Sequence, residues 1–252
     1  MSKLALVTGA TAGIGEATAE VFAANGWNLI ITGRRAERLE NIAQSLTKQY
    51  SINVLPLAFD VRNYEEAASH LNGMGDEWKK VDVLVNNAGL AAGKDPIQEG
   101  KLDHWERMID TNIKGLLYVT KTVVPWMLKV QKGHIINVGS IAGKEVYQNG
   151  NVYCATKHAV DALSRGMRLD LVSDNIKVTN IAPGLVETEF SIVRHDGDKT
   201  LADATYDGFT PLVGKDIADC ILFAATRPAH VNVGDMLILP TAQANATTIK
   251  RD

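Results

Sequence analysis

The chain has 252 residues, 46% hydrophobic and 22% charged, the balance of a globular domain that buries a full core without metal or disulfide support. Its 26 basic and 29 acidic residues are scattered and sum to a formal charge of -3, which excludes the electrostatic footprint of a nucleic-acid or membrane-surface binder. Cys154 and Cys220 stand far apart without metal-ligand spacing, no run reaches the roughly 18 apolar residues of a membrane span, and a strand-like segment follows Met1 too closely for a signal peptide, so a cytoplasmic protein without a metal site is expected.

Apolar runs rich in Val, Ile and Leu at residues 4–8, 28–32, 54–59, 81–86, 134–138, 177–181 and 236–239 predict about seven buried strands. Stretches of helical period separate them; Trp105, Met108, Ile109, Asn112, Ile113, Leu116 and Leu117, for instance, share one face. Strands apolar on both faces, alternating with helices, predict a single-domain, Rossmann-like, doubly wound α/β fold with a parallel sheet between two helical layers. No linker, repeat or low-complexity run divides the chain. In such a sheet ligands collect at the carboxyl ends of the strands, so the residues after each apolar run are the candidates for function.

The first run ends in Thr8-Gly9-Ala10-Thr11-Ala12-Gly13-Ile14-Gly15 and continues as a helix. Gly9 can turn tightly, Gly13 and Gly15 let backbone amides approach a pyrophosphate, and the helix N-terminus adds partial positive charge. With the second strand about twenty residues on, the turn suits a dinucleotide; Gly9, Thr11, Ala12, Gly13, Ile14 and Gly15 are the expected contacts. The second run ends in Gly33-Arg34-Arg35, where an NAD site has an Asp or Glu for the ribose hydroxyls. Arginine offers a planar fork of donors to a 2′-phosphate, so NADP(H) is the expected cofactor with Arg34 and Arg35 as ligands. The alternative, that Arg34, Arg35 and Arg38 only solvate the next helix's first turn, opposes the helix dipole.

After the fourth run comes Asn86-Asn87-Ala88-Gly89, after the fifth Gly139-Ser140, and later Tyr153-Cys154-Ala155-Thr156-Lys157, which puts Tyr153 and Lys157 on one helical face. In this order the motifs resemble the short-chain dehydrogenase/reductase family, from about Lys3 to at least Pro240. The resemblance implies catalytic Asn112, Ser140, Tyr153 and Lys157, and dinucleotide contacts from Asn87, Ala88 and Gly89. Asp60-Val61 resembles the pair that brackets the adenine, and Pro183-Gly184 with Val186 and Thr188 the segment that orients the nicotinamide carboxamide. The resemblance also implies a homo-oligomer, commonly a tetramer, for which helices at 102–130 and 153–172 have enough apolar face.

The chemistry follows from the residue types. Moving a hydride to or from a carbon requires a proton to leave or join its oxygen. A free phenol has a pKa of about 10, and an ammonium about 4 Å away favours its anion by up to roughly 4 kcal/mol at an effective dielectric near 20, which brings Tyr153 into range as the acid/base. Ser140 is expected to donate to the carbonyl oxygen and Lys157 to hold the nicotinamide ribose. Asn112 is expected to position a water between Lys157 and solvent, unless its side chain serves a local helix distortion.

Residues 187–211, polar and carrying Arg194, His195, Gly197, Lys199 and Gly208, read as a mobile substrate lid with glycine hinges. Asn151-Val152-Tyr153, the stretch 183–191, Val193-Arg194, His230-Val231-Asn232 and Pro240-Thr241-Ala242-Gln243 are similar to NADP-dependent 3-hydroxy acid dehydrogenases, a subgroup near serine dehydrogenases and malonic semialdehyde reductases. That similarity implies a small anionic hydroxy acid or its semialdehyde, carboxylate or sulfonate, contacted by Ser140, Tyr153 and Arg194. Cys154 and the polar Lys144-Glu145-Val146-Tyr147-Gln148 depart from the pattern, the latter at the substrate mouth. A reductase of a bulkier carbonyl (keto sugar, steroid or carrier-bound ketoacyl group) and a non-catalytic NADP(H) sensor are the alternatives; the complete set of Tyr153, Lys157 and Ser140 weighs against the sensor.

Overall fold

Residues 3–252 are described by a computed structural model. Strand β1 (Leu4–Thr8) is buried along its whole length and leads through the glycine turn into α1 (Gly13–Ala24). Strand β2 (Asn28–Gly33), α2 (Ala36–Tyr50), β3 (Val54–Ala58) and α3 (Tyr64–Asn72) complete the first half. The second half runs through β4 (Val83–Asn86), α4 (Leu102–Ile109), α5 (Leu116–Val130), β5 (Gly133–Val138), α6 (Asn151–Leu171) and β6 (Ile176–Pro183). It closes with β7 (Val186–Glu187), α7 (Glu189–Arg194), α8 (Lys199–Ala204), β8 (Leu212–Val213), α9 (Gly214–Ala225) and β9 (Asp235–Ile238).

Seven strands form one parallel sheet in the order β3-β2-β1-β4-β5-β6-β9, the doubly wound architecture that the alternation predicts. The strand order reverses between β1 and β4, so the loops leaving those two parallel strands part and open a crevice at their carboxyl ends. Side chains alternate across the sheet, and helices cover both sides. Ala5, Val7, Leu29, Ile31, Val85, Ile136 and Ile181 share one core with Phe22, Ile217 and Ile221 of α1 and α9. Leu4, Leu6, Ile30, Leu84, Ile135 and Val178 share the other with Val119, Val123 and Met127 of α5. Burying each large aliphatic side chain is worth roughly 1.5–3 kcal/mol, which is why the strands read as continuous apolar runs.

Two regions depart from the expected elements. The helix expected across 102–130 is interrupted by a wider π-helical turn at Asp110–Gly115. Segment 187–211, expected as a loop, contains α7 and α8, whose starts are capped by Thr188 and Asp198 side chains accepting from the Phe190 and Leu201 N–H groups. Strands β7 and β8 pair in parallel at the two ends of this segment; two-residue strands carry no readable period, so pattern alone misses them. Gly197 and Gly208 adopt φ of 94° and 77°, the left-handed region that glycine enters without strain. Among the described residues no helix is long and apolar enough to cross a membrane.

His134 of β5 is enclosed, with Nε2 2.7 Å from Thr179 Oγ1, and burial pushes its imidazole down to about 3, Lys177 adding to the shift. In the unfolded chain the same group titrates near 6.5, so the contribution of neutral His134 to stability is complete above that pH and is lost as pH falls toward 3. In urea titrations at pH 7 and pH 4.5, His134→Asn should lose about 2–3 kcal/mol less between the two than the parent does. Equal losses would show that the folded imidazole accepts a proton.

Candidate active site

The crevice at the carboxyl edge of the sheet is a groove of about 640 Å³, within the range of small-molecule and cofactor sites. It brings together every cofactor, catalytic and substrate residue expected from the sequence except Gly15 and Asn112. At its floor Gly9 and Gly13 take φ of 67° and 55°, and a Cβ on Gly9 would lie 2.9 Å from the Ala88 Cα. Ala12 is extended and supplies no side-chain cap to α1, which leaves the first N–H groups of that helix available to an anion. Asn87 ties this turn to the end of β4, its Nδ2 donating to the Thr8 and Gly9 carbonyls at 2.8 and 3.2 Å.

At Gly15 a Cβ would collide with the Gly9 carbonyl and the Asn87 amide, so the packing of α1 on the turn requires glycine.

The two arginines after β2 also divide. Arg35 donates from Nη2 to the Thr11 carbonyl at 2.8 Å and Oγ1 at 3.0 Å, and from Nη1 to Glu189 at 3.0 Å. Arg34 faces the groove and donates to no protein group among the described residues. Beside it, Arg62 grips Asp60 from Nη2 at 2.6 Å and Nε at 2.9 Å. Burial pushes the Asp60 carboxyl up, but the bonds from Arg62, with Arg34 nearby, hold it below the ordinary carboxylate value.

Helix α6 presents Tyr153 and Lys157 one turn apart, both buried. Lys157 Nζ donates to the Val138 carbonyl at 2.9 Å and stands 5.9 Å from the centre of the Tyr153 ring. Burial pushes the ammonium down to about 8. It pushes the Tyr153 phenol up, and neighbouring Tyr147 adds to this, while a hydrogen bond with Ser140 and the charge of Arg194 act the other way. Ser140 Oγ accepts from the Ala142 N–H at 3.1 Å and donates weakly to the Pro183 carbonyl at 3.4 Å.

Asn112 lies within the π-helical turn. Its Oδ1 accepts from the Leu90 N–H at 2.9 Å, and its Nδ2 donates to the Leu90 carbonyl at 2.8 Å and to Thr156 Oγ1 at 3.0 Å. These bonds fix the loop after β4 against α6.

At the far end of the groove, Arg194 Nη2 meets the Tyr147 hydroxyl at 2.6 Å. The guanidinium carbon sits 5.4 and 5.5 Å from the ring centres of Tyr147 and Tyr153, and Arg194 Nε is buried without a partner among the described residues. The sequence places Tyr147 in the stretch 144–148 at the substrate mouth but gives it no partner. It also leaves out of the site Gln243, which is buried and whose Oε1 accepts from the Leu185 N–H at 2.9 Å, anchoring the Pro183-Gly184 segment. The C-terminal tail crosses the mouth, where Ala246 N–H donates to Glu145 at 2.8 Å.

An uncapped helix N-terminus, an unengaged arginine and a buried phenol and ammonium along one groove define a dinucleotide-dependent oxidoreductase. The sequence matches the short chain dehydrogenase family over residues 3–198, and the chain belongs to that family. It is 43% identical over 254 residues, 100% of each chain, to sulfoacetaldehyde reductase 2 of Chromohalobacter salexigens. It is 46% identical over 244 residues, 96% of this chain and 97% of the relative, to an NADP-dependent 3-hydroxy acid dehydrogenase of Salmonella typhimurium. Among solved structures, the closed form of serine dehydrogenase complexed with NADP+ matches with a TM-score of 0.92 at 43% identity, covering 99% of this chain and 100% of that one.

Gly15→Ala should lower the stability of the cofactor-free protein by about 1–3 kcal/mol through overpacking, a drop in melting midpoint of about 3–10 °C for a chain of this size. An unchanged midpoint would show that packing does not require glycine there.

Proposed function

We propose that this oxidoreductase uses NADP(H) to interconvert a small anionic 3-hydroxy acid, or its sulfonate analogue, and the corresponding aldehyde. The observation that carries the substrate class is Arg194, a guanidinium held between two tyrosine rings with a buried Nε that no group among the described residues satisfies. A desolvated donor of this kind favours an anion. The relatives support the same class, since those named above act on sulfoacetaldehyde, 3-hydroxy acids and serine.

The cofactor is NADP(H), and the groove fits it. The α1 N-terminus with Gly9, Thr11, Ala12, Gly13 and Ile14 would hold the pyrophosphate, Arg34 the 2′-phosphate, and Asp60 and Val61 the adenine. Asn87, Ala88 and Gly89 would line the ribose, and Pro183, Gly184, Val186 and Thr188 the carboxamide. When bound, the nicotinamide supplies or accepts the hydride.

The chain's own residues handle the proton. Tyr153 donates its proton to the carbonyl oxygen in reduction and, as the phenolate, takes a proton from the hydroxyl in oxidation. Ser140 donates to the same oxygen as negative charge develops on it. Lys157 holds the ribose hydroxyls, and its charge favours the phenolate that remains after donation. Segment 187–211 closes over the substrate as a lid turning on Gly197 and Gly208, and exposed Leu102, Val130, Leu169 and Val172 suit a homo-oligomer in which α4, α5 and α6 meet other copies.

The test is a panel of aldehydes with NADPH. Malonic semialdehyde or sulfoacetaldehyde should exceed propanal in kcat/KM by about 10- to 100-fold, the worth of one charge-assisted hydrogen bond, and Arg194→Met should erase the margin. Faster turnover of uncharged or bulky carbonyls, with Arg194→Met unaffected, would overturn the substrate class.

A further inference from the structure

Helix α7 has six residues, yet it touches both ends of the groove. Its first residue, Glu189, accepts from Arg35 Nη1 at 3.0 Å and from Arg38 Nη1 at 2.8 Å, and Arg38 Nη2 reaches Glu16 at 3.0 Å. Its second, Phe190, sets its ring edge-on to Tyr153 with centroids 5.7 Å apart. Its last, Arg194, meets Tyr147. Arg35 meanwhile holds Thr11 of the phosphate turn, and Thr188, which precedes the helix, lies against Gly13, where a Cβ would come within 3.0 Å of it. One guanidinium thus joins the phosphate turn to the helix that carries the anion contact.

We propose that Glu189, gripped by Arg35 and Arg38, is a clasp that positions α7 and sets Phe190 and Arg194 over Tyr153, leaving Arg34 as the 2′-phosphate ligand of the adjacent arginine pair. The proposal rests on the reading of 187–211 as a lid. Burial pushes the Glu189 carboxyl up, but hydrogen bonds from Arg38 and Arg35 outweigh it and keep the group ionised. The side chains are about two-fifths exposed, 46% for Arg35, 44% for Glu189 and 40% for Arg38, so each pair is weak taken singly. Four charges in series with planar donors supply orientation more than stability. A segment that must open is better held by bonds that water can replace than by a buried apolar seam.

The test uses the full chain with NADPH, NADH and whichever of malonic semialdehyde and sulfoacetaldehyde is turned over faster. Glu189→Gln and Arg38→Gln should each raise the aldehyde KM about three- to ten-fold with kcat and the NADPH-to-NADH preference within about two-fold, the scale of a partly exposed ionic network. Hydrogen exchange across α7 and α8 should quicken in both variants, and Glu189→Asp, which keeps the charge, should restore most of the parental KM. Arg34→Gln should instead abolish the dinucleotide preference. Loss of that preference in Arg38→Gln, or an unaltered aldehyde KM in Glu189→Gln, overturns the clasp. If exchange across 187–211 in the parent does not slow on binding NADPH with 3-hydroxypropionate, the lid reading itself fails, and the clasp with it.

Discussion

Two ionisable side chains one helical turn apart, Tyr153 and Lys157, are held out of water where β5 ends, and the geometry of the groove is organised around them. Desolvation disfavours the charge on each, raising the phenol and lowering the ammonium. In the proposed mechanism the phenol gives its proton to an oxygen that gains negative charge. That transfer suits a reaction in which proton and hydride must move together, and it requires a rigid setting. The Val138 carbonyl fixes the ammonium, Asn112 fixes the loop after β4 against α6, and Gln243 fixes the segment after β6.

Several buried polar side chains of the sheet bond to one another. Asn86 Nδ2 donates to Thr120 Oγ1 and Asn137 Oδ1, both at 2.9 Å, and Asn137 passes a further bond to Ser164 at 2.9 Å. This chain of amides links β4, β5 and α6 directly beneath the groove. It locks the registers of the strands that deliver Asn87 and Ser140, and it explains polar residues where an apolar run would otherwise be expected.

The sheet was legible in the sequence because strands buried on both faces leave long apolar runs, and the site was legible because short motifs follow those runs at the carboxyl edge. What pattern could not reach depends on contacts between distant segments. Gly15 looks like a member of the phosphate-binding glycines, yet it is fixed by the Gly9 carbonyl and Asn87 of another loop. Arg34 and Arg35 look equivalent until Thr11 and Glu189 are seen to engage only the second. Asn112 and Tyr147 have their partners in Leu90 and Arg194, many residues away. Strands of two residues and helices of six fall below the length at which a period can be counted, which is why 187–211 read as loop.

The central claim, that the Tyr153 hydroxyl supplies the proton, is tested most directly by single-turnover oxidation of bound NADPH in Tyr153→Phe with the preferred aldehyde. Loss of an acid/base group predicts a rate at least about 100-fold slower, with NADPH affinity within about three-fold of the parent. A rate close to that of the parent would contradict it and place the acid on another group.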